Sequence, residues 1–113
     1  EENKYFINER FINNCIKSIY LINTSRGLCI NTSDIVNGMK NGKIKGVCMD
    51  VLEYETSCFK NLKLEKIAAK NLEYLNNSKN VILTPHIAGL TKESELKISQ
   101  ILFKKITTLN LCD

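Results

Sequence analysis

The chain is sparing with the residues that usually mark a site: it has one proline, one histidine and only two arginines among sixteen basic residues. Its five cysteines (Cys15, Cys29, Cys48, Cys58, Cys112) form no C-x-x-C pair. Their odd number and wide spacing argue against both a disulfide framework and a zinc site, and no other metal centre is expected. Free cysteine then acts as a small hydrophobe, and a reducing cytoplasm is the expected compartment. No apolar run approaches the roughly 18 residues of a membrane span, and the opening EENKYF lacks the pattern of a signal peptide. The net charge of +4 comes from lysines scattered singly among asparagines. Without a basic stripe, neither nucleic acid nor a membrane surface is an expected partner.

What is present is ordered. At 113 residues the chain has material for a single core. INERFINNCIKS places Phe11, Ile12, Cys15 and Ile16 on one helical face, with Asn8 as N-cap. SIYLINTS is a short β-rich run. NTSDIVNGMKNG predicts a compact helix capped by Asn31, with Ile35, Val36 and Met39 on one side and Gly42 at its left-handed end. KGVCMDVL and NVILTP are two further apolar runs. Between them LEKIAAKNLEYLNN carries Leu64, Ile67, Ala68, Leu72 and Leu75 at helical spacing. A last helix from Lys92 to about Leu109, capped by Thr91, turns Leu96, Leu102, Phe103 and Ile106 inward. The stretch from Glu53 to Leu62 reads as a loop. Continuous apolar strands alternating with helices predict an α/β fold: a partial Rossmann-like three-layer domain with a parallel sheet of about three strands covered on both faces.

In open α/β sheets ligands bind at the carboxyl ends of the strands. Beyond the first predicted strand lies Arg26, beyond the second Asp50, Glu53 and Glu55, and beyond the third His86. Each has an ordinary structural use: a surface ion pair for Arg26, a loop cap for Asp50, solvated charge for the glutamates, a structural role for His86. All of these would have to coincide at one sheet edge. Arginine offers a planar fork that fits a carboxylate, and histidine can give a proton to an oxygen gaining charge. A carboxylate beside the histidine favours its protonated form. Such a trio suits reduction of a 2-oxo acid, with hydride arriving from elsewhere.

INTSRG, NGMKNGKIKGVCMDVLEYE and NVILTPHIAGLT resemble, in order and spacing, the signatures of the NAD-dependent D-2-hydroxyacid dehydrogenases. The resemblance runs from residue 1 to about 108. It implies NAD as cofactor and a small 2-oxo or 2-hydroxy acid as substrate. It also implies catalytic roles for Arg26 (substrate carboxylate), Glu55 (partner of the histidine) and His86 (acid/base). Glu55 is preferred to Glu53 because it keeps the family's five-residue interval from Asp50. Thr24, Ser25, Arg26, Asp50, His86, Ala88 and Gly89 match the nicotinamide side of the cofactor site. The glycine-rich phosphate turn, G-x-G-x-x-G, has no counterpart among Gly27, Gly38, Gly42, Gly46 and Gly89. Residues 1–113 therefore look like the C-terminal part of a cofactor-binding domain, without its glycine-rich half or the substrate-binding domain. On this expectation the isolated chain is inactive, and it pairs either with the remainder of the protein or as a homodimer. The histidine-loop length resembles the D-lactate branch and HIAGLT the hydroxypyruvate and phosphoglycerate branches, which leaves the acid open. The resemblance leaves two other uses open: an NAD-sensing binding protein akin to transcriptional co-repressors, and a piece with no activity of its own.

Overall fold

A computed structural model of the chain describes residues 2–54 and 66–109. The elements follow in the predicted order: α1 (Glu9–Asn14), β1 (Ile19–Asn23), a 3-10 turn (Gly27–Cys29), α2 (Thr32–Lys40), β2 (Ile44–Met49), α3 (Lys66–Asn77), β3 (Val81–Leu83) and α4 (Lys92–Thr108). Local chemistry sets the helix ends. The Asn8, Asn31 and Thr91 side chains accept the backbone N–H groups of Phe11, Asp34 and Ser94, relieving donors that the first turn leaves without partners. Gly42 follows α2 at φ 72°, where a side chain would be strained.

The strands form one parallel sheet in the order β1-β2-β3. Ile35 and Val36 of α2, Ile12 of α1 and Leu75 of α3 pack over Ile44, Val47 and Met49 of β2. Leu21, Val81 and Leu83 lie against the same cluster.

The core differs from the expectation in three places. Among the described residues the sheet is covered on one face only. Tyr20, Ile22 and Ile82 point away from the helices and stay 74%, 70% and 61% exposed. The reason is topological. β-helix-β crossovers are right-handed as a rule, and a strand order that advances in one direction then puts every crossover helix on the same side. Helices reach the other face only where strand order reverses.

The second difference is α4, where Leu96, Leu102, Phe103 and Ile106 are exposed and not turned inward. The helix packs extensively on no other described element. It lengthens the molecule to 60 Å along its main axis, with a radius of gyration of 17.8 Å, against about 13 Å for a compact chain of this size. The third is smaller: Ile16 and Ile67 are exposed, because α1 stops at Asn14 before Ile16 and only Ala68 and Leu75 of α3 are fully buried. Glu55, Leu64 and most of the predicted loop lie outside the described residues. No described helix is long and apolar enough to cross a membrane.

Candidate active site

Three exits from the sheet make the candidate site. At the end of β1 the buried Asn23 shapes a tight turn. Its Oδ1 accepts the Ser25 N–H at 3.1 Å and its Nδ2 donates to the Arg26 carbonyl at 3.0 Å, a side chain standing in for backbone pairing. Arg26 follows in extended conformation, its N–H on Ser25 Oγ at 2.6 Å and its Nη1 on the Ser25 carbonyl at 2.7 Å. The guanidinium is thus oriented by its own turn while the side chain stays exposed.

Gly27 closes the turn against the β2 exit. A Cβ there would lie 1.9 Å from the Leu52 carbonyl oxygen, so only glycine lets these two stretches of backbone touch. Gly27→Ala should therefore cost about 3 kcal/mol, the upper end of overpacking penalties, because backbone on both sides must move. Gly89→Ala, where a Cβ meets nothing within 4 Å, should stay within about 0.5 kcal/mol. Urea denaturation midpoints of the two variants check this.

At the end of β2, Asp50 links all three exits. Its N–H donates to the Asn23 carbonyl at 2.9 Å, and its own carbonyl accepts the His86 N–H at 2.9 Å. Its carboxylate accepts the Thr84 hydroxyl and the backbone N–H groups of Ile87 and Ala88. The Thr84 bond is the main reason the carboxyl is held below its ordinary 3.8; burial opposes this, and the two N–H groups and the nearby His86 assist. A carboxyl whose folded pKa is lowered stabilises the fold fully above the unfolded value, and that stabilisation drains away as pH falls through the folded value. Asp50→Asn should be less stable than wild type near about pH 6, with the gap narrowing below about pH 4. Thermal denaturation across that range measures it.

At the end of β3 the chain turns at Pro85 and places His86 at φ 56°. A left-handed residue other than glycine costs roughly 1 kcal/mol, although histidine is among the side chains found there more often. The conformation is held by the His86 N–H on the Asp50 and Thr84 carbonyls and by the bonds of Ile87 and Ala88 to the Asp50 carboxylate. His86, Ala88 and Gly89 are exposed at this rim.

Arg26, Asp50 and His86 thus leave adjacent parallel strands at one edge, with Thr24 and Ser25 in the same β1 turn. Glu55 lies outside the described residues. Glu53 turns toward the α2 N-terminus, where its Oε2 accepts the Thr32 N–H at 2.8 Å. Sequence reasoning passed over Asn23 and Thr84, which organise the edge; an asparagine and a threonine each sitting where an apolar run ends were the available signal. Beside the β1 exit opens a groove of about 380 Å³, lined in part by Phe6, Ile22, Asn23, Thr24 and Ser25. No cluster of three or more histidine, cysteine or acidic side chains among the described residues could hold a metal ion.

The chain has counterparts among known proteins. The chain is 33% identical over 112 residues to an aromatic 2-oxoacid reductase of Clostridium sporogenes, covering 98% of this chain and 32% of that protein. It is 32% identical over 93 residues to the D-lactate dehydrogenase of Lactiplantibacillus plantarum, covering 81% and 28% of the two. Among solved structures, the NAD-complexed D-isomer specific 2-hydroxyacid dehydrogenase of Lactobacillus delbrueckii ssp. bulgaricus superposes with a TM-score of 0.70 at 29% identity, over 96% of this chain and 33% of that one. The chain spans about a third of the length of these relatives. Residues 1–88 match the family described as "D-isomer specific 2-hydroxyacid dehydrogenase, NAD binding domain", and the chain belongs to that family.

Proposed function

We propose that this chain provides the nicotinamide side and the proton-transfer group of an oxidoreductase that moves hydride between NAD(H) and a small D-2-hydroxy or 2-oxo acid. The observation that carries the reading is the convergence of Arg26, Asp50 and His86 at one sheet edge, their loops joined through Asn23, Asp50 and Thr84. The relatives named for D-lactate and aromatic 2-oxo acids support the substrate class.

The residues present fit the nicotinamide end of the cofactor. Thr24, Ser25 and Arg26 form the β1 turn beside the groove, Asp50 lies at the centre of the edge, and His86, Ala88 and Gly89 form its far rim. The space at Gly89 is open. When bound, NAD(H) supplies or takes up the hydride at C2 of the acid. Arg26 docks the acid's carboxylate through its planar fork. His86 gives a proton to the C2 oxygen in reduction and removes it in oxidation. Glu55, by its place in the motif, is the carboxylate partner of the histidine. Charge on the substrate is thus met at both ends, by a fixed cation and by a proton donor.

The wide spacing of the cysteines supports a reducing compartment, the cytoplasm. The bare sheet face, the free edge of β1 among the described residues and the apolar side of α4 support pairing with further polypeptide, either the remainder of a longer chain or a second copy. The deciding experiment follows NADH oxidation by the complete protein with pyruvate, phenylpyruvate and branched 2-oxo acids. Turnover of any of them supports the reading, and none with all of them removes it.

A further inference from the structure

Glu53 stands three positions past Asp50, yet its carboxylate serves a different part of the edge. It accepts the Thr32 N–H at 2.8 Å. The Tyr5 and Tyr54 hydroxyls lie beside it, and both phenols are raised above their ordinary 10.0, Tyr5 chiefly by the carboxylate and Tyr54 chiefly by burial. Near Tyr54, Asn71 Nδ2 donates to Ser33 Oγ at 2.8 Å and joins α3 to α2. One carboxylate therefore ties the β2 exit to the start of α2 and lies beside the N-terminal segment.

These ties surround the loop that carries Arg26. At its start the loop is closed by Asn23 on the Arg26 carbonyl, and one residue later Gly27 lies flush against the Leu52 carbonyl. The Leu28 carbonyl accepts the Tyr5 N–H at 2.8 Å, and at Thr32 the loop enters α2. Glu53 gathers the last three of these: it directly follows Leu52, it lies beside the Tyr5 hydroxyl, and it accepts from Thr32. Tyr5 sits at φ 52°, a strained conformation for a bulky residue that persists where surrounding bonds fix it. Its N–H and its carbonyl (from Asn8 Nδ2 at 2.8 Å) are both engaged, and its hydroxyl lies beside Glu53. A negative charge beside the first turn of α2 also suits the positive end of the helix dipole.

We propose that Glu53 is a positioning residue for Arg26: by binding the Thr32 N–H next to the close Gly27–Leu52 approach it holds the Arg26–Thr32 loop in the orientation that presents the guanidinium to an acid substrate. The inference rests on the reading of Arg26 as the group that docks the carboxylate. A merely stabilising Glu53 would lower the melting temperature and leave the kinetics of the folded protein unchanged.

The test uses Glu53→Ala and Glu53→Gln in the complete protein; the second keeps a neutral oxygen for Thr32 should the first fail to fold. Glu53→Ala should raise KM for the 2-oxo acid and lower kcat/KM about tenfold, with Glu53→Gln between it and wild type. In an Arg26→Ala background the same change should add nothing, because residues acting as one unit are non-additive. Amide hydrogen exchange should rise across residues 28–32 and remain unchanged in β2. Unchanged kcat/KM at a temperature where the variants are folded, or a loss that multiplies with Arg26→Ala, overturns the proposal. If wild type reduces no 2-oxo acid, the dehydrogenase reading falls; exchange then still decides the clamp, upheld by lost protection at residues 28–32 and overturned by retained protection.

Discussion

Replacing His86 by alanine in the complete protein should lower kcat for 2-oxo acid reduction by about 10²–10⁴-fold, the usual contribution of a positioned acid/base. No other imidazole exists in the chain to take over, so free imidazole in the buffer should restore part of the rate. The fold should survive. The His86 N–H bonds the Asp50 and Thr84 carbonyls, and alanine keeps that backbone. Alanine at φ 56° is less at ease than histidine, so His86→Asn, whose side chain tolerates that region, is the companion variant. Full retention of kcat would remove His86 from proton transfer.

Much of this edge was legible in the sequence because it depends on short-range patterns. Apolar runs gave the strands, and Asn8, Asn31 and Thr91 gave helix starts through bonds to residues three positions away. The rule that ligands gather at strand ends then brought Arg26, Asp50 and His86 together. What escaped is long-range. Thr84 meets Asp50 across 34 positions and Glu53 meets Thr32 across 21, and no local pattern marks either pair. In the sequence Gly27 is only one of five glycines outside a phosphate turn; the reason it must be glycine is the Leu52 carbonyl, supplied by another strand exit. The apolar pattern of α4 correctly announces a helix with an apolar side. It carries no information on whether the partner for that side lies within these residues, and the expectation of inward-facing Leu96 and Phe103 failed on that point. Sheet coverage failed for a related reason: periodicity shows that a strand is apolar, while the side on which helices pack follows from strand order and crossover hand.

Arg26→Lys should reduce kcat/KM for the 2-oxo acid roughly a hundredfold, with KM raised and kcat lowered together. Lysine keeps the positive charge but cannot give two parallel N–H bonds to one carboxylate. A hydrogen bond to a charged group contributes about 1.5–3 kcal/mol, a factor of about 10–150, and a substrate no longer held by both oxygens also samples orientations unsuited to hydride transfer. The change tests docking and leaves folding aside, since the Arg26 side chain is exposed and the turn is shaped by Asn23 and Gly27; the melting temperature should hardly move. Arg26→Ala should be worse than Arg26→Lys, because the fixed cation is lost along with the fork. An unchanged KM in both variants would mean that the carboxylate is held elsewhere, and the guanidinium would then be no more than a surface charge on the β1 turn.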